Sequence, residues 1–150
     1  MSSQLLNWNK NDLMEFGWKC AQHLGYSWRE QNIRKVIHAM GGHIVSEGPS
    51  CVFAKENFDV REHYSLRGYA EDLAHYILHS QVGQIPIEDF NKLPFKFWTE
   101  AQWFAVGFLV PKDDLIEKHK QNHGAAELAC SYHVMTEFVE ERLKSLALKE

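Results

Sequence analysis

A chain of 150 residues suits one compact domain, long enough for a real core and short for two. Apolar residues make up 45% and charged residues 24%, an ordinary soluble composition with no biased or low-complexity tract. The net charge of −4 gives no global footprint for nucleic acid or anionic membrane, and the longest apolar run, Trp103 to Val110, is far too short to span a bilayer.

The elements follow in chain order. Met1 to Trp8 has no basic stretch followed by a sustained apolar run, so no signal peptide is expected. Asn9 or Asn11 can cap a first helix running to about His23, which Gly25 ends. A second helix is expected from about Ser27 to Met40, with Ile33, Val36, Ile37 and Met40 on one side and Gly41-Gly42 stopping it. Strand chemistry comes next: His43-Ile44-Val45, a turn at Glu47-Gly48-Pro49-Ser50, Cys51 to Ala54, and a third run from Phe58 to Arg61. The natural reading is a small antiparallel sheet.

A helix is predicted over Ser65 to Ser80, with Leu66, Tyr69, Leu73, Tyr76 and Ile77 as its apolar stripe. Gly83, Pro86 and Pro94 punctuate a loop-like segment from Val82 to Lys96. Another helix starts near Thr99 and stops before Pro111, because proline disfavours helical geometry in the residue before it. Asp113 to Gln121 and Ala125 to Leu148 read as further helices, the last one broken around Cys130 to His133. Cys20, Cys51 and Cys130 are odd in number with no C-x-x-C pair, which points to buried free thiols in a reducing cytoplasm.

The most informative stretch is Ala70-Glu71-Asp72-Leu73-Ala74-His75-Tyr76-Ile77-Leu78-His79. It has the frame of an H-E-x-x-H helix, in which two histidines four apart bind zinc and the Glu activates a water. Glu71 stands where the first His belongs and Asp72 where the Glu belongs; only His75 keeps its letter.

With Met40-Gly41-Gly42-His43-Ile44, Phe58-Asp59-Val60 and the segment Glu100-Ala101-Gln102-Trp103-Phe104-Ala105 leading to Phe108-Leu109-Val110-Pro111, this frame resembles the ImmA/IrrE-type metallopeptidases. Glu127-Leu128-Ala129, Tyr132-His133-Val134 and Arg142 to Leu146 resemble that family's closing helices. The likeness is colinear from about residue 30 to 148 and leaves residues 1–29 as an N-terminal helical extension within a single domain, 1–150. It implies an α+β fold: a mostly helical, zincin-like domain with a small antiparallel sheet before the active-site-type helix. It also implies Glu100 as third metal ligand, so the site residues carried over are Glu71, His75 and Glu100, with Asp72 at the position of the base.

The departures bear on the chemistry. A carboxylate in place of an imidazole adds negative charge, favours harder metals and leaves less charge on the ion to acidify water. Aspartate is shorter than glutamate by one methylene, about 1.5 Å, and a misplacement of about 1 Å can cost on the order of a hundredfold in rate. A metal-free account is also available: Glu71 and His75 as a helix-stabilising i,i+4 pair, and Glu100 favouring the start of its helix. The reading therefore leans away from an enzyme and expects no cofactor, with zinc or another divalent ion in a weak site as the competing account. His79 is read as a surface or packing residue.

Trp98, Trp103, Phe104 and Phe108 lie at helical spacing beside Ala101 and Ala105 and are expected in the core. Phe90, Phe95 and Phe97 fall in or beside the proline-containing segment and are candidates for a partner surface. The closing helices set Glu137, Glu140 and Glu141 against Arg142 and Lys144, an unfavourable balance for a DNA reader. The family acts on helix-turn-helix repressors. The resemblance thus implies a cytoplasmic, phage or mobile-element regulator that binds such a repressor as an antirepressor would, without direct nucleic-acid or membrane contact. An unconventional metal-dependent peptidase and a toxin–antitoxin component are the alternatives.

Overall fold

The computed structural model describes residues 9–46, 58–79 and 95–147. In order these form α1 (Lys10–Leu24), α2 (Ile33–Ala39), β1 (His43–Val45), β2 (Asp59–Arg61), α3 (Leu66–His79), α4 (Phe95–Leu109), α5 (Lys112–Lys120), α6 (Ala125–Tyr132) and α7 (Thr136–Ser145). The domain is thus mostly helical with one small sheet. No helix is long and apolar enough to cross a membrane among the described residues.

Local chemistry explains most boundaries. The Asn9 side chain accepts a hydrogen bond from the Asp12 amide and starts α1; Gly25, at φ 75°, closes it in the left-handed conformation. The second helix is shorter than the periodicity predicts. Gln31 adopts φ 57°, which no helix accommodates, and Asn32 then caps a new start by accepting from the Lys35 amide. Pro111 ends α4 as expected, and His133 at φ 61° separates α6 from α7.

The sheet corrects the sequence reading. β1 and β2 run parallel, not antiparallel, with His43 opposite Asp59, Ile44 opposite Val60 and Val45 opposite Arg61. A parallel pair needs a crossover of about a dozen residues, and residues 46–58 supply that length where a tight hairpin turn cannot. The expected strand at 51–54 lies outside the described residues.

α4 is the central element. One face meets α1 and α3, and the apolar cluster there takes in Leu13, Leu73, Phe104 and Phe108 and runs on to Ile37 of α2 and Val60 of the sheet. Its far end packs with α5, α6 and α7 around Val106, Leu115, Tyr132, Val139 and Leu143. The α1–α4 contact is backbone against backbone. A Cβ on Gly17 would lie 2.1 Å from the Phe104 carbonyl oxygen, and one on Gly107 would lie 1.8 Å from that of Met14. The N-terminal helix is therefore a full wall of the core. Of the four aromatics expected inside, Phe104 and Phe108 are buried and Trp103 is half-buried, but Trp98 is exposed. Cys20 is half-buried, its thiol pushed up to about 11 by burial, whereas Cys130 is exposed and so departs from the expectation of buried thiols.

Candidate functional site

α3 places its chemistry on the protein side. Asp72, His75 and His79, at i, i+3 and i+7, form a polar stripe that is buried together with Leu73, Ala74 and Leu78. The Ser65 hydroxyl accepts from the Gly68 amide at the start of the helix. Gly68 itself leaves room for His63: a Cβ there would lie 2.5 Å from the His63 Nδ1.

The two acids that replace the family letters each have a basic neighbour. His63 Nε2 is 2.6 Å from Asp72 Oδ2. Glu71 pairs with Arg67, one turn earlier, at 3.6 Å. Burial raises the Glu71 carboxyl above its usual range; the Arg67 charge opposes this, the Asp72 charge adds to it, and His63 opposes it.

The two histidines and Glu100 form a second, deeper group. The Nδ1 atoms of His75 and His79 are 3.1 Å apart, and His79 Nε2 is 3.0 Å from Glu100 Oε1. All three residues are at most 4% exposed. Phe97 stacks on the His79 ring at 4.1 Å, and Trp98 meets the His75 ring edge-on at 5.2 Å. Burial drives His75 down to about 4 against the pull of Asp72, and His79 down to about 3 with His75 adding to the effect. Burial likewise raises Glu100, offset in part by Lys96.

Both imidazoles are therefore neutral at pH 7, and the His79–Glu100 contact is a hydrogen bond between a neutral ring and a carboxyl group rather than an ion pair. A neutral imidazole has one donor and one acceptor nitrogen. Donation from His79 Nε2 to Glu100 makes His79 Nδ1 an acceptor, so His75 Nδ1 donates to it and His75 Nε2 carries the lone pair; these tautomers are assigned from the network. Glu100 Oε2 is buried and has no hydrogen-bond partner among the described residues.

His79 does not fit as a ligand to a resident metal ion as arranged. A ligating imidazole presents a lone pair about 2.0–2.1 Å from the ion, and both ring nitrogens of His79 already serve neighbouring side chains. Among the described residues no three His, Cys, Asp or Glu groups stand together as a ligand set. The sequence grouped Glu71, His75 and Glu100. The geometry instead joins His75 to Glu100 through His79, with Glu71 at Arg67 and Asp72 at His63.

His79 is fully buried, not on the surface, and its packing role includes two hydrogen bonds. Glu100 lies in the second turn of α4, which begins at Phe95, so it does not start the helix. Of the proposed partner aromatics, Phe95 is 84% exposed, Phe97 is buried against His79, and Phe90 lies outside the described residues. His63 was missed altogether. It is nine residues from Asp72 and off the helix, so no periodicity reveals it; the one local signal is Gly68, a glycine inside a helix where a neighbour must come close.

The sequence profile of the IrrE N-terminal-like domain matches residues 65–144, a span that holds Glu71, Asp72, His75, His79 and Glu100. No curated protein and no solved structure matches the chain.

Proposed function

Since the chain belongs to the IrrE N-terminal-like family, we propose that it is a regulatory protein on a metallopeptidase-like scaffold that acts by binding a partner protein rather than cutting it. One observation carries this reading. Each group at a position of the family's chemistry is engaged by another side chain: Asp72 by His63, Glu71 by Arg67, and both His75 and Glu100 by His79. An acid held at 2.6 Å by a histidine is poorly placed to take a proton from water, and a shortened side chain compounds the loss.

The partner class follows from the family: a helix-turn-helix repressor, occupied stoichiometrically in the manner of an antirepressor of a phage or mobile element. The test is a mixing experiment between the full chain and a repressor encoded beside it. A one-to-one complex of two intact chains, equally stable with and without EDTA, is the expected result. Repressor fragments that disappear on adding EDTA would overturn it in favour of a metal-dependent peptidase built on Glu71, His75 and Glu100.

A further inference from the structure

His75 and Glu100 are the two residues that keep their letters in the family's metal frame, and His79 touches both. Its Nδ1 is 3.1 Å from Nδ1 of His75, and its Nε2 is 3.0 Å from Oε1 of Glu100. His75 and His79 are four apart on α3 and so share a face. Phe97 and Glu100 are three apart on α4, so one turn of that helix supplies the acceptor and a ring stacked on His79, 4.1 Å between centroids and 8° from parallel. The His79 imidazole is thus held from three sides in the buried seam between α3 and α4.

A metal ion bound by His75 and Glu100 would tie the two helices by drawing one donor from each to about 2.0–2.2 Å from a common centre. Here the tie runs through a ring instead. Two ring nitrogens 3.1 Å apart share one proton, so one donates and the other accepts. His79 spends its own N–H on Glu100, and His75 therefore donates to it. One imidazole sets the tautomer of His75 and the orientation of the Glu100 carboxyl together, while Phe97 fixes the plane of the ring. In a dry seam such bonds strengthen one another, and each is costly to lose. No three His, Cys, Asp or Glu groups gather as a ligand set among the described residues; these side chains are arranged about an imidazole.

We infer that His79 is the positioning residue of this site: it makes, by two hydrogen bonds, the link between His75 of α3 and Glu100 of α4 that an ion would otherwise make, so the site keeps its shape without a metal. The inference concerns how the scaffold is held. It does not rest on whether a partner protein is bound or cut.

The test uses the full chain. A two-bond proton–nitrogen correlation of the histidine rings at neutral pH reads their tautomers, and His75 protonated at Nδ1 with His79 protonated at Nε2 is the expected result. The opposite tautomer at either ring would overturn the inference. The melting temperature should not move with EDTA or with added zinc; a fall with EDTA, or a rise that saturates at one zinc per chain, would overturn it as well. His79→Leu is of similar volume but brings neither donor nor acceptor, and should lower the melting temperature by at least about 5 °C. His79→Gln offers a donor and an acceptor on one amide; it should recover most of that loss and keep His75 in its single tautomer. A Gln variant no better than Leu would show that the ring only fills space. Should His79→Leu not fold, the tautomers and the metal response of the unaltered chain and of His79→Gln still decide. None of these readouts needs a repressor, so they stand apart from the mixing experiment. Repressor cleavage with melting indifferent to EDTA sinks only the non-cleaving reading, and an intact complex with the wrong tautomers sinks only the role of His79.

Discussion

His63 holds Asp72 from outside the helix that carries it, with Nε2 of the ring 2.6 Å from Oδ2. The ring comes from the stretch between β2 and α3, slides over Gly68, and also meets Tyr69 edge-on at 5.0 Å. Asp72 is 8% exposed, so the contact settles where a costly buried acid finds its hydrogen bond.

His63→Ala should therefore destabilise the fold by about 0.5–1.5 kcal/mol, the net worth of one intramolecular hydrogen bond. Urea unfolding of His63→Ala, Asp72→Asn and the double variant provides the check. A coupling energy of about 0.5 kcal/mol or more is expected. Additive single effects would show that the two residues do not depend on each other.

The buried histidines set the acid limit of stability. Their folded values, about 4 for His75 and about 3 for His79, lie below the 6.5 of an exposed histidine. Below about pH 6.5 the unfolded chain thus takes up protons that the folded chain refuses. Their stabilisation is complete above that pH and is lost as pH falls toward the folded values, by up to about 1.4 kcal/mol per pH unit for each ring. Glu100 acts with the opposite sign, because its raised folded value favours the folded state as pH falls through that range. Urea midpoints at pH 7, 6 and 5 should decline steadily, and His79→Gln should flatten the decline.

Restoring the lost letters tests the scaffold. Glu71→His with Asp72→Glu places two imidazoles four apart on α3. The unaltered chain, purified without chelator, should hold well under one zinc per chain by elemental analysis. The double variant should approach one. A folded double variant with no gain would show that Glu100 cannot leave His79 for an ion.

The α1–α4 crossing leaves no space for a methyl group. Gly107→Ala and Gly17→Ala would press a Cβ against the carbonyls of Met14 and Phe104, and each should cost about 1–3 kcal/mol or more. Thermal unfolding measures this directly. A melting temperature unchanged in both variants would mean that the helices separate without loss.

Local signals in the sequence mark most of the helices. Asn9 and Gly25 bracket α1, the 3.6-residue period places α3, and Pro111 stops α4, because caps, periodicity and proline act within a few residues. The strand pairing was hidden because direction depends on the path of residues 46–58, not on the strands themselves. The start of α2 was hidden by a left-handed Gln31, a conformation that side chain does not announce. In the site, His75 and Glu100 were found through their motif positions. His79 reads as an ordinary histidine until α4 brings Glu100 alongside it, and His63 approaches through tertiary contact alone.

The reciprocal glycines bear on where the folding unit begins. The stretch shared with the family starts at residue 65, yet Gly107 inside it is shaped for the spine of Met14 far upstream. A fragment trimmed to the shared stretch would open a bare furrow along α4 to water. The minimal cooperative piece is longer than the recognisable one.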